Sequence, residues 1–416
     1  VLISGSDPSL GIGGHSSYVR LHGLAALRAG YTPHIFCVGP HEYEHCTEFG
    51  MVHRVQSPYR PYRNVMLHAH APRLIRSIEK FLLLRKGCHL LHGFSGWAYV
   101  GAVVANRLKK KNVTAVPIAS SYDTLLNVAR AKRAGVGKAH GLLERMHAEC
   151  EFLWKKFVLD RYERRGYISA NSVLVNYESV RRILVSSYGD GMESKIRLAP
   201  YTSEGAFREN GRAAESELPE AISGLEFGDA PLLLSVSRHD PRKGLDVFLC
   251  ALARLRKSGI RFRACLVGGG SLLASHRQLA RRLGLGGTVA IPGFVADVSA
   301  YLRHANLFVL PSLEEGSGSL SLIEALQAGV AVVASNVDGI PEDVTNGYDA
   351  LLVPSNNVEE LAAALRRAIT DQELRERLGQ NGRETFCRRF SADRFIAMLG
   401  YFYSEALNSA LPLEFY

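Results

Sequence analysis

The chain has 416 residues, 47% of them hydrophobic, with a net charge of +10 and a pI of 9.3, enough for two or three ordinary soluble domains with large cores. Its longest apolar run, Trp97 to Ala105, reaches about half of the roughly 18 to 20 residues that span a bilayer, which excludes a transmembrane helix. Seven cysteines, at 37, 46, 88, 150, 250, 265 and 387, show no CxxC spacing, which argues against a disulfide framework and a zinc site and for a reducing cytoplasm.

The opening Val1-Leu-Ile-Ser reads as a strand and is expected to follow a trimmed terminus rather than a signal peptide. It runs into Gly11-Ile-Gly13-Gly14-His15 and a helix through Arg28. This glycine turn lacks GxGxxG spacing, and no acid ends the second strand at Phe36-Cys37-Val38-Gly39, so it suits a phosphate or sugar approaching the backbone better than a nicotinamide ribose. Further strands are expected at 34–38, 52–56, 89–93, 114–119, 172–176 and 195–199. His92, Ser95 and Asp123 end strands here and are expected to face one cleft.

Residues 137–166 carry apolar residues every three to four positions (Leu142, Leu143, Met146, Cys150, Leu153, Phe157, Tyr162), which predicts one or two helices packing a core-facing stripe. Residues 1–200 also hold 28 Lys/Arg against 14 Asp/Glu, whereas residues 201–416 hold 22 against 26. Basic runs concentrated in one half favour an acidic partner surface, anionic lipid headgroups included, at about 1 kcal/mol per basic residue near such a surface.

Residues 208–230, polar and punctuated by glycine and proline, read as a linker. A second β/α series follows, with strands at 232–237, 263–267, 288–292, 306–310, 331–334 and 350–353. The first of these leads into Arg238-His-Asp-Pro-Arg-Lys243-Gly244, two cations at the carboxyl end of a strand where α/β ligands bind and where a diphosphate would be neutralised. Gly268 to Gly270 and Gly293-Phe294 end two more strands, leaving room for a ligand, with Phe294 placed to pack near a base. The last helical run, Ala392 to Ala410, is long enough to return to the first domain.

The most informative loop is Pro311-Ser-Leu-Glu-Glu315-Gly316-Ser317-Gly318-Ser319, between a buried strand and a helix that stops at Gly329. Its glycines permit a tight bend, and the unpaired N–H groups of the helix start favour an anion. Glu315 and Glu324 flank this point and suit sugar hydroxyls, since carboxylates accept several hydrogen bonds and donate none.

At these residues the chain resembles the family 4 glycosyltransferases, retaining nucleotide-sugar enzymes of GT-B fold. The resemblance covers most of the chain, through Gly13-Gly14, Leu90-Leu-His92-Gly-Phe94, Ser169 to Asn176, Lys195 to Pro200, Arg238 to Gly244, Val267 to Gly270, Pro292 to Phe294 and Pro311 to Gly329. It implies an α/β chain of two Rossmann-like domains facing across a cleft, with an acceptor domain at 1–207, a linker at 208–230, a donor domain at 231–390 and a returning helix at 391–416. Carried over, Arg238 and Lys243 bind the donor diphosphate, Gly316 to Ser319 the phosphate and sugar, Glu324 the ribose and Glu315 the donor sugar. Gly14, Gly268 and Phe294 complete the donor side, Gly13, His15, His92 and Asp123 form the acceptor side, and Glu315, His92, Arg238 and Lys243 are the catalytic candidates.

The chain departs from the family in three places. Counting back from Glu324 puts Gly316, not Glu315, where the first acid belongs. The fourth-strand end reads Ala119-Ser-Ser-Tyr-Asp123, and the interdomain segment reads Pro200-Tyr-Thr202.

The expected activity is transfer of a sugar from a UDP- or GDP-sugar to an acceptor sugar, glycolipid or small molecule. Configuration is retained, no metal or other cofactor is required, and the setting is the cytoplasm or the inner face of an anionic membrane. A GT-B nucleotide-sugar epimerase or phosphorylase is the enzymatic alternative. A non-catalytic nucleotide- or nucleic-acid-binding module fits the pI, but neither an aromatic-interleaved platform nor a groove-reading motif accompanies the basic residues, so nucleic acid is not an expected partner.

Overall fold

The computed structural model describes residues 1–10, 14–60, 66–122, 124–126, 129–130, 133, 142–199, 201–207, 217–315 and 318–410. They build two units, Val1–Glu204 with Ala392–Tyr416, and Gly205–Ser391.

The first unit holds an eight-stranded sheet: β1 (Leu2–Ile3), β2 (His34–Gly39), β3 (Tyr43–Thr47), β4 (Gly50–Gln56), β5 (His89–Phe94), β6 (Ala115–Ser121), β7 (Ser172–Val175) and β8 (Ile196–Leu198). The spatial order is β3-β4-β2-β1-β5-β6-β7-β8, parallel except for β3, which pairs antiparallel with β4. Sequence patterning misses β3 because Tyr43-Glu-His-Cys-Thr47 is a largely exposed polar edge strand, the kind that blocks further pairing and carries no apolar run. Helices α1 (Gly14–Arg28), α2 (Leu67–Leu83) and α3 (Ala98–Lys109) cover the sheet, and Ile3, Phe36, Leu74, Leu91, Trp97 and Val100 form one buried core.

From Leu142 to Ser169 the chain is helical without a break, as α4 (Leu142–Trp154), a π-helical turn (Lys155–Leu159) and α5 (Asp160–Ser169). Only one side packs, through Ala148, Phe152 and Leu159. Most of the stripe expected to face the core is instead turned outward: Leu143, Met146, Leu153 and Phe157 are exposed, as is Cys150, whereas Tyr162 packs against the core as expected. The helix has two apolar faces, and the neighbouring structure buries the one that carries Ala148, Phe152 and Leu159.

The second unit holds a parallel sheet of β9 (Leu232–Val236), β10 (Arg263–Val267), β11 (Val289–Gly293), β12 (Leu307–Leu310), β13 (Ala331–Ser335) and β14 (Leu351–Val353), ordered β11-β10-β9-β12-β13-β14. These strands read as continuous apolar runs because helices bury both faces. Leu233, Phe248, Leu252, Leu266, Val309 and Leu365 lie in one buried cluster. The order of connection reverses between β9 and β12, and in the first sheet between β1 and β5. Parallel sheets open a crevice at the carboxyl ends of such strand pairs.

Residues 208–216 of the expected linker lie outside the described residues. The remainder packs onto the second unit, where Ile222 is fully buried and the Glu226 N–H donates to Gly287 O at 2.8 Å. The last helix, α12 when the intervening helices α6 (Glu178–Tyr188), α7 (Leu245–Lys257), α8 (Leu273–Arg282), α9 (Leu320–Ala328), α10 (Val358–Thr370) and α11 (Gln372–Thr385) are numbered, spans Ala392–Ala410. It packs against α1, and Arg197 donates to Glu405 at 3.2 Å.

Candidate functional site

In the second unit the site grows from the switch point between β9 and β12. The loop after β9 is drawn to the loop after β12 by N–H groups of Leu313 and Glu314, which donate to Arg242 O at 2.7 and 3.1 Å. Gly244, at φ +57°, allows this approach, since a Cβ there would stand 2.1 Å from Pro311 O. On the other side β9 meets β10, where Gly268 has φ +144° and a Cβ would stand 1.9 Å from Ser237 O. The glycines are thus dictated by backbone crowding at the strand ends as well as by room for a ligand.

Lys243 lies at this junction and donates from Nζ to Glu315 Oε1 at 2.6 Å. Glu315 corrects the sequence reading: expected to face the donor sugar, its side chain is only 2% exposed and turned inward. The same Oε1 accepts from Ser312 Oγ at 2.6 Å, and the Glu315 N–H donates to Asp338 at 2.6 Å. A carboxylate this buried requires a cation, so Glu315 holds Lys243 in place rather than offering its oxygens to the hydroxyls of a sugar. The ammonium has three donors and Glu315 engages one.

Four residues beyond Glu315, Ser319 caps α9 by accepting from the Leu322 N–H at 3.3 Å, and Gly318 has φ +96°. Gly316 and Ser317 lie outside the described residues. Glu324 stands one turn into α9, half-buried. Arg238, 67% exposed, donates to Asp240 at 2.6 Å. Burial raises the Asp240 carboxyl, but the guanidinium groups of Arg242 and Arg238 hold it below the usual range. Phe294 is exposed at the end of β11, and a Cβ on Gly269 would lie 3.6 Å from its Cβ. Arg238, Lys243, Gly268, Phe294, Glu315, Gly318 and Ser319 are therefore all carried by the carboxyl ends of β9 to β12.

Sequence reasoning missed Asp338 and Asp240, which hold the loop and the arginines. Both are acids in turns directly after strands, Asn336-Val-Asp338-Gly339 and Arg238-His-Asp240-Pro241, and that position was their available signal. It also missed His239, which is buried with Nδ1 2.9 Å from Nδ1 of His276. Burial pushes its pKa down to about 4, so it is neutral and structural at physiological pH.

In the first unit, Gly14 opens α1, and a Cβ there would meet nothing within 4 Å. His15 follows with Nε2 3.2 Å from Ser4 Oγ, and burial pushes its pKa down to about 4. It is a neutral hydrogen-bonding group near the end of β1. Gly13 and Asp123 lie outside the described residues.

His92 is a second correction. It sits within β5 and is buried, with Nδ1 2.7 Å from Tyr403 OH of α12 and Nε2 2.7 Å from Ser120 Oγ. Both ring nitrogens are occupied and burial holds the ring well below its ordinary pKa. Strand alternation points it under α12, away from the strand end, so it has neither access to substrate nor a nitrogen left for catalysis.

The end of β5 is organised instead by Ser95, a non-glycine residue at φ +54°, and by the fully buried Glu163. The Glu163 carboxylate accepts from Ser95 Oγ at 3.1 Å, the Leu125 N–H at 2.8 Å, Tyr167 OH at 3.2 Å and Tyr188 OH at 3.2 Å. Burial outweighs these donors and pushes its pKa up to about 7. Because the folded state keeps this proton after the unfolded chain has lost it, stability should fall as pH rises from about 4.5 to about 7, by about 3 kcal/mol in all. Glu163→Gln should flatten that part of the thermal midpoint against pH curve; an unchanged slope would contradict the assignment.

Among the described residues, no three His, Cys, Asp or Glu side chains are grouped to hold a metal ion.

With this geometry in view, the likenesses to known proteins are specific. The model of the family "Glycosyl transferases group 1" matches residues 220–385, nearly all of the second unit. A GDP-mannose-dependent alpha-(1-6)-phosphatidylinositol monomannoside mannosyltransferase of Mycobacterium tuberculosis is 29% identical over 280 residues, 65% of this chain and 71% of that one. A D-inositol 3-phosphate glycosyltransferase of Streptomyces bingchenggensis is 33% identical over 252 residues, covering 58% and 54%. Sucrose-phosphate synthase from Thermosynechococcus elongatus superposes with a TM-score of 0.71 at 23% identity over 98% of both chains. Anabaena HepE, solved in complex with UDP, superposes at 0.66 with 17% identity over 98% of both. Two Rossmann-like parallel sheets and these likenesses lead to one conclusion: the chain has the GT-B fold, and its residues 220–385 match the group 1 glycosyl transferases.

Proposed function

We propose that the protein transfers a sugar from a nucleoside-diphosphate sugar, held by the second unit, to an acceptor hydroxyl, with retention of anomeric configuration. The observation that carries this reading is the Lys243–Glu315 pair beside the capped start of α9, at the switch point of β9 and β12. A cation fixed by a buried carboxylate and a helix N-terminus a few residues away form a preorganised place for a diphosphate whose negative charge grows as it leaves.

In the proposed step the bond between the sugar's anomeric carbon and the phosphate oxygen breaks while the acceptor oxygen bonds to that carbon on the same face. A donor phosphate oxygen takes the acceptor's proton, so the products are the glycoside and the nucleoside diphosphate. Lys243, the α9 N–H groups and the exposed guanidinium of Arg238 supply the charge stabilisation, and the step as written calls on no metal. His15, held by Ser4 near the end of β1, is the first-unit group assigned to the acceptor. The relative named as GDP-mannose-dependent makes a GDP-sugar the first donor to test.

The test is thermal unfolding with GDP, UDP, ADP and NAD, each at saturating concentration. A ligand at about 100 times its dissociation constant stabilises by roughly 2.7 kcal/mol, a rise of several degrees for a domain of this size. One nucleoside diphosphate, GDP first, should raise the midpoint; a rise with NAD alone would overturn the reading.

A further inference from the structure

We infer that the outward face of the Leu142–Ser169 helical segment is an interfacial surface that lies on an anionic lipid bilayer. Starting at Leu143, the residues Met146, Cys150, Leu153, Trp154 and Phe157 follow at helical spacing, a stripe about 100° wide on a helix of 3.6 residues per turn. It lies opposite the buried Ala148, Phe152 and Leu159. Leu143 is 81% exposed, Phe157 64% and Met146 54%. Large apolar side chains scattered singly on a surface need no explanation, but a contiguous stripe along one helix marks a contact.

The charges beside the stripe identify the occupant. Arg145, Lys156, Arg161, Arg164 and Arg165 are exposed on the same segment, and none forms a salt bridge among the described residues. Most of the segment's acids are otherwise engaged: Glu149 pairs with Arg133 at 2.6 Å, Glu151 with Lys155 at 2.9 Å, Glu163 is buried under its four donors, and the half-buried Asp160 accepts from Tyr188 OH at 3.3 Å and lies near Arg164 and Arg130. Arg165 also lines a groove of about 990 Å³ with Arg107, Lys109 and Lys110, so the cationic surface continues past the end of α5.

An exposed apolar stripe accompanied by cations, of which only Arg164 has a carboxylate of the segment, Asp160, beside it, is the pattern of a helix lying in a headgroup layer, with side chains such as Met and Phe entering the acyl boundary. A second copy of the chain seated on this face would bring the same cations against one another. Among the described residues no helix is long and apolar enough to cross a membrane, so the contact is one of lying on the bilayer.

The experiment is sedimentation of the full chain with vesicles of phosphatidylcholine alone and of phosphatidylcholine mixed with phosphatidylglycerol. The parent should sediment with the mixed vesicles, in a salt-sensitive way, and not with phosphatidylcholine alone. A Met146→Ser, Phe157→Ser double variant should bind them at least about tenfold more weakly, through lost apolar burial, and an Arg161→Glu, Arg164→Glu variant should lose the preference for anionic lipid. Both should keep the parent's thermal midpoint and its response to nucleoside diphosphate, which separates failure of this surface from failure of the donor reading. Absence of binding by the parent, equal binding by the Met146/Phe157 variant, or a parent dimer that this variant dissolves would each overturn the inference, the last by naming a second copy as the occupant.

Discussion

Lys243→Ala should lower the turnover of glycosyl transfer by about 10²- to 10³-fold, the cost usually met on removing one preorganised donor from developing negative charge. Lys243 is fixed by Glu315 at 2.6 Å, and Glu315 is fixed in turn by Ser312 Oγ and, through its backbone N–H, by Asp338. On the proposed reading the charge is therefore in position before a donor arrives. Arg238 is more exposed and shares Asp240 with Arg242, so Arg238→Ala should cost less. The two losses need not add, because in the proposed step both act on one diphosphate.

The substitution also leaves Glu315 buried without its cation, and breaking a buried pair costs up to about 3 to 5 kcal/mol, less here because Ser312 still donates. A Lys243→Ala, Glu315→Gln double variant separates the two effects. The neutral amide carries no charge to be compensated, so the thermal midpoint should recover while turnover, followed as nucleoside diphosphate release, stays low. Recovery of turnover together with the midpoint would mean that Lys243 serves only as the counterion of Glu315.

Gly268→Ala should destabilise the second unit by at least about 3 kcal/mol, the range expected when a strained φ and a backbone clash coincide. The residue sits at φ +144°, and its Cβ would lie 1.9 Å from Ser237 O and 2.8 Å from Ser237 C. Neither atom can swing aside, since the Ser237 N–H donates to Val267 O at 3.0 Å and the Gly268 N–H to Gly293 O at 2.9 Å. Relief therefore requires the ends of β9, β10 and β11 to part, which would also displace the loop that carries Lys243. For a unit of this size the thermal midpoint should fall by about 6 to 12 °C. Gly269→Ala is the control: its nearest neighbour would be the Phe294 Cβ at 3.6 Å, an ordinary contact, and its midpoint should move by less than about 2 °C. Equal effects at the two positions would show that chain entropy, not crowding, sets the cost.

The sequence by itself determined the two sheets and the strand ends that carry the candidate site. Apolar runs such as Leu232-Leu-Leu-Ser-Val236 and Leu307-Phe-Val-Leu310 are legible because strands buried on both faces leave no polar position to interrupt them. Lys243, Gly268 and Ser319 are legible because each follows such a strand directly, and the carboxyl ends of parallel strands are where loops meet ligands. Tertiary structure alone decided the direction and partners of individual side chains. Nothing local says that His92 turns under Tyr403, that Glu315 turns inward to Lys243, or that Ser95 is held by Glu163, because those partners lie 311, 72 and 68 positions away. Nor does periodicity say which side of a helix is buried when both sides are apolar. Ala148 and Phe152 went inward and Met146 and Phe157 outward because helical spacing specifies that residues share a face, while only the neighbouring surface settles which face it covers.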